Sequence, residues 1–188
     1  MARKRIRDLD AQASIVDTLK LAVDDTGMAS AKRVSISQLD ARYAGSPCYI
    51  EWFQNPGEAT SISSSNVFQK IDVTTAQTGL SGGSCLTVNA QGRVTNTGAS
   101  GNFLVSACLS AGGTNNDDVH FIFAINGVVQ AKSEQSMVLP SGARETHISL
   151  QALLTLNTNQ YVEVYVKNVN DTHTVTLSSI NVIVQKIA

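Results

Sequence analysis

The 188 residues suffice for one main domain with an appendage, and their hydrophobic fraction of 43% sits just below the ordinary globular range. No apolar run approaches the ~20 residues of a membrane helix, and the N-terminus lacks the apolar segment of a secretory signal, so neither membrane insertion nor export by the usual route is expected. The net charge of −1 hides an asymmetry: residues 1–43 hold eight of the 14 Lys and Arg and six of the 15 Asp and Glu. The basic run MARKRIR is short enough to read as a solvated tail, and no nucleic-acid partner is expected.

Residues 1–43 have an order of their own. Ile6 and Leu9 open the segment, Leu19, Leu21 and Val23 alternate as a short strand, Asp24 to Gly27 turn the chain, and Val34, Ile36 and Leu39 alternate again. So few apolar side chains cannot offset an ordering entropy of ~1–2 kcal/mol per residue, so this hairpin is expected to be stable only when docked on another surface. Residues 44–48 (AGSPC) read as a linker.

From Tyr49 the composition changes. YIEWF is a strand candidate carrying the only tryptophan, Trp52; QNPGEATSISSSN reads as a surface loop, and VFQKIDV returns to alternation. Leu80 to Ser84 reads as flexible, and CLTV and RVTNTG form a hairpin about Asn89 to Gly92. From Asn102 to Lys186, FLVSACLSA, VHFIFAI, VVQAK, HISLQALLTL, YVEVYVKNV and TVTLSSINVIVQ follow one another with period two or as short β-branched runs. Asn126-Gly127 is the dipeptide of a type I′ hairpin, because both central residues need positive φ. Asn157 to Gln160 and Asn170-Asp171 supply the next reversals. Residues 49–188 are therefore expected to be all-β, about eight to ten strands running as a meander within a two-sheet sandwich or jelly roll.

Chemistry-bearing residues are sparse. His120, His147 and His173 share no metal-ligand spacing and read as surface or packing residues. The loop Asn115-Asn116-Asp117-Asp118 has oxygen donors but lacks the alternating pattern of a calcium loop, so it reads as a turn. With no G-x-S-x-G frame, no phosphate loop and no carboxylate pair, no enzyme activity, cofactor or metal is expected. Cys48, Cys85 and Cys108 are odd in number and scattered, and are expected to stay reduced. Tyr49, Trp52 and the 112–118 loop are open to a ligand, though an aromatic in such a strand is more often core.

Two resemblances follow from these stretches. GNFLVSACLSAGG, the ING turn and LLTLNTNQYVEVYVKNVNDTHTVTLSSINVIVQKI resemble the tumour necrosis factor/complement-type jelly roll over roughly Phe68 to Ala188. Ile6 to Leu9, Asp17 to Val23 and Lys32 to Leu39 resemble the short attachment module that opens many tailed-bacteriophage structural proteins. Together they imply a stubby appendage assembled in the host cytoplasm, anchored to the virion through Ile6, Leu9, Leu19, Leu21, Val23, Val34, Ile36 and Leu39 and ending in a homotrimeric knob. The implied partners are further copies of itself and capsid, collar or tail proteins; a capsid decoration (cement) role and a receptor module reading a host glycan or protein stay open as alternatives. The knob's sparse charge points to a trimer contact through one sheet, at Phe121, Phe123, Ile125, Val182 and Val184.

Overall fold

The computed structural model describes residues 48–113, 116–140 and 145–187. The attachment residues from Ile6 to Leu39 and nearly all of the expected linker lie outside them. Thirteen strands are present among the described residues: β1 (Tyr49–Gln54), β2 (Ala59–Thr60), β3 (Gln69–Lys70), β4 (Gln77–Gly82), β5 (Leu86–Val88), β6 (Val94–Asn96), β7 (Gly101–Gly112), β8 (Asp118–Ile125), β9 (Val128–Val129), β10 (Gln135–Val138), β11 (Thr146–Leu156), β12 (Tyr161–Asn168) and β13 (Val175–Lys186). One antiparallel sheet runs β11-β7-β13-β1-β4 with β2 on β13, and the other runs β10-β8-β12-β6-β5 with β3 on β12 and β9 on β8. No described helix is long and apolar enough to cross a membrane.

Chain order and sheet order differ because β10, β11, β12 and β13 alternate between the two sheets. The expected jelly-roll sandwich is present, and only the meander order expected for its strands is corrected. A strand such as β11, buried at every second residue from Leu150 to Leu156, must be covered by a second sheet, and connections of four to seven residues are long enough to cross the ~10 Å between sheets. True local hairpins remain at β5–β6 and β8–β9. In the latter, Asn126 and Gly127 take φ of 50° and 80° and set the pairs Ala124↔Val129 and Ile125↔Val128. A single 3-10 turn at Ala131–Ser133 then interrupts the edge before β10 resumes on the same side of β8. Ser133 bridges the gap: its hydroxyl accepts from the Phe123 N–H at 2.9 Å and donates to the Gln130 carbonyl at 2.8 Å.

The interior is filled by Trp52, Phe103, Phe121, Phe123, Leu150, Leu154, Leu177 and their β-branched neighbours. Trp52 lies against Gly92 in the β5–β6 turn, where a Cβ would fall 2.7 Å from the indole and where φ is +70°, so both space and backbone demand glycine. Buried Asn96 ties two loops together: its amide donates to the Ala99 and Leu156 carbonyls at 3.2 and 3.1 Å.

Three further expectations are corrected. Leu80 to Ser84 is not flexible as a whole: Gln77–Gly82 is β4, paired with β1 from Tyr49↔Gly82 to Phe53↔Gln77. An edge strand forms through backbone bonds and does not require side-chain burial, which leaves Leu80 exposed. Cys48 and Cys85 are joined in a disulfide, their Cα atoms 6.0 Å apart, and only Cys108 is a free thiol among the described residues. The pairing is tertiary: Cys48 leads into β1 of one sheet and Cys85 into β5 of the other. Finally, Phe121, Phe123, Val182 and Val184 are buried in the protomer's own core and so are not open to a second copy, while Ile125 is partly buried at the core's margin.

Candidate functional site

The outward face of β11, β7, β13 and β1 can be read from the register. Rows run Leu153-Leu104-Gln185-Tyr49, Gln151-Ser106-Ile183-Glu51 and Ser149-Cys108-Asn181-Phe53 across the four strands. Strict alternation sends the inner partners Leu150, Ala152, Val105, Ala107, Val182 and Val184 to the core and leaves these facing out. Leu153 is 54% exposed and Ile183 42%. Among the described residues, Glu51 is the only formally charged side chain at the outward positions of these strands. It is held within the face, accepting from the Asn181 amide at 2.7 Å and the Leu80 N–H at 3.2 Å, and those two bonds, the amide first, keep its carboxyl below the usual carboxylate range. A depression of about 350 Å³ opens beside Phe53, Cys108, His147 and Asn181.

The outer face of the opposite sheet has the reverse character. Glu163 of β12, with a side chain 2% exposed, meets both Lys70 and Arg93 at 3.1 Å, and Arg93 lies 3.9 Å over the Tyr161 ring. Nearby, Glu134 receives Lys167 at 3.1 Å and the His120 ring nitrogen at 2.6 Å, and Lys167 stands 4.4 Å over Phe68. These bonds, that of His120 first, hold the Glu134 carboxyl below its usual range.

A third constellation sits at the end of the sandwich away from Cys48. Asp117, before β8, and Asp171 and His173, in the β12–β13 loop, bring one donor atom each to within 4.8 Å of one another. His173 Nδ1 lies 3.1 and 3.3 Å from the two Asp117 oxygens and 2.8 Å from Asp171 Oδ2. The Asn168↔Val119 pair of β12 and β8 is what brings the two loops side by side.

No protein-family model matches the sequence, and no curated protein matches it either. Solved structures do. Murine APRIL at pH 5.0 superposes with a TM-score of 0.53 at 15% identity, over 75% of this chain and 99% of its own. The fold is a tumour necrosis factor-like jelly roll. PRD1 vertex protein P5 follows at 0.49 and 18% identity, over 77% of this chain and 100% of its own, and Eiger TNF from S. frugiperda at 0.47 and 12%, over 76% and 94%.

On this jelly roll the residues singled out from sequence are distributed as follows. Trp52 is core, 1% exposed, and Tyr49 is half-buried at one edge row of the uncharged face. The five expected contact residues face inward, whereas Leu104, Leu153, Ile183 and Phe53 lie on the outward side of the β11-β7-β13-β1 sheet. The histidines are not all isolated: His173 meets Asp117, a residue of the loop read as a plain turn. Fifty-six residues separate them in sequence, and only the β8–β12 pairing joins them.

Proposed function

We propose that this chain is a structural protein of a bacteriophage particle, a homotrimer whose first 43 residues attach to other virion proteins and whose jelly-roll knob stands free. The reading is supported by one observation above all: the knob has one outer face with its charges paired inside the protomer and another with a single carboxylate, exposed Leu153 and Ile183 and half-buried Leu104. Apolar positions among uncharged Ser, Asn and Gln suit a surface that a second and third copy cover, because few charges must be desolvated. The N-terminal resemblance to phage attachment modules supplies the other half of the reading. No catalytic role is assigned.

The division of labour is testable with two chains, the full protein and one beginning at Ser46. Light scattering should give a trimer mass for both. Mixed with particles lacking the protein, only the full chain should be retained, and electron microscopy should locate it at fixed sites on the virion. A monomer mass for both chains would overturn the trimer, and full occupancy by the shortened chain would overturn attachment through residues 1–43.

A further inference from the structure

The geometry points to a cation site in the carboxylate–histidine constellation at the rim away from Cys48. Asp117 is 2% exposed, and among the described residues its carboxylate has no donor other than His173 Nδ1, which spans both of its oxygens. That same nitrogen faces Asp171 Oδ2 at 2.8 Å. One ring nitrogen carries at most one hydrogen, yet three carboxylate oxygens converge on it. With His173 neutral the cluster holds two negative charges, and with His173 protonated it still holds one, against a carboxylate removed from water. Such under-compensation is what a bound cation removes.

We propose that Asp117, Asp171 and His173 bind one first-row divalent metal ion, zinc by preference. An imidazole nitrogen with two carboxylates is a borderline donor set that suits zinc and its neighbours, whereas calcium and magnesium take oxygen shells. Bonds of ~2.0–2.2 Å to such an ion set adjacent donors ~3.0–3.5 Å apart; His173 Nδ1 already stands 2.8 to 3.3 Å from each carboxylate, and the three donor atoms all lie within 4.8 Å of one another, so small side-chain rotations close the set. Asp171 is oriented for the task, since its Oδ1 accepts from the Asn168 amide at 2.9 Å and the His173 N–H at 2.7 Å, leaving Oδ2 toward the cluster. His173 is 44% exposed and borders a cleft of about 470 Å³ with Gly113, Glu145 and Thr176, so water can complete the coordination. The bound ion would clamp the β7–β8 loop to the β12–β13 loop.

The test is calorimetric titration of the tag-free full chain, stripped with EDTA, with zinc chloride and separately with calcium chloride. One zinc per chain is expected, with a raised melting temperature and much weaker calcium binding. Asp171→Asn and His173→Ala, at positions that are not core, should keep the circular dichroism spectrum while losing about tenfold or more in zinc affinity. Absence of zinc binding, zinc binding unchanged in both variants, or calcium binding as tight as zinc would each overturn the assignment.

Discussion

The two outer faces of this sandwich are built on strands of equal regularity, yet they treat charge in opposite ways. On the β10-β8-β12-β6-β5 face, charges are numerous and internally matched, down to a glutamate nearly sealed between a lysine and an arginine. On the β11-β7-β13-β1 face, charge has almost vanished and one carboxylate is tied to the face itself. A face that spends its charges on itself has little left to offer a partner; a face of exposed leucine and isoleucine among small neutral groups costs little to desolvate, which is why the proposed assembly is placed there.

The largest test of this contrast is on assembly. Leu104→Asp with Ile183→Asp should reduce the proposed trimer to a monomer in light scattering while circular dichroism stays unchanged, because both side chains already face outward. A charge reversal at Lys70, on the other face, should leave the mass unaltered. If the two faces respond alike, the distinction between them fails.

A second test separates association from stability. Cys48→Ser with Cys85→Ser opens a loop of 37 residues, for which chain entropy gives about 3–4 kcal/mol of lost stability, read by denaturant unfolding. The trimer mass should survive under native conditions, since neither sulfur lies on the uncharged face.

Glu163→Ala comes third. Removing the buried acceptor strands Lys70 and Arg93, but both cations are partly exposed, so the loss should be about 2 kcal/mol and not the full penalty of a broken buried pair. It too should leave the mass unchanged.

The smallest expected effect is one of pH. The Glu134 carboxyl is held below its ordinary value of 4.5, mainly by His120 and then by Lys167. A depressed folded value means that its contribution is fully present above about pH 4.5 and is lost as the pH falls through the lower folded value. Glu134→Gln should therefore flatten the decline in melting temperature on that acid side, by well under 1 kcal/mol for so accessible a pair. An unchanged acid profile would show that these bonds contribute nothing.

Period-two patterning made β7, β11, β12 and β13 legible in the sequence, and Asn126-Gly127 fixed the hairpin, because each rests on local stereochemistry. The phase of VHFIFAI was not legible. Its outward residues Ile122 and Ala124 are as buried as its inward Phe121 and Phe123, so a continuous apolar run gives no sign of which set meets the core. Misreading that phase is what placed the trimer contact on inward side chains. β4 escaped because Gln77–Gly82 buries almost nothing and is held by backbone pairing alone. The disulfide and the Asp117–His173 meeting escaped for a shared reason: each joins residues far apart in sequence through the stacking or pairing of strands, and no spacing rule encodes that.

Entry and exit of the knob are coupled in a way that bears on mechanics. β1 and β13 are neighbours, Tyr49 opposite Gln185, and the Lys186 N–H donates to the Cys48 carbonyl at 2.7 Å. Tension arriving through residue 47 and resisted at the far rim would pull β1 lengthwise between β13 and β4, loading its hydrogen bonds in shear, all together, and not peeling them one by one. Part of the pull would bypass those bonds through the Cys48–Cys85 bond into the opposite sheet. A sandwich wired this way resists a pull at the start of β1 without unravelling from the strand that bears the load.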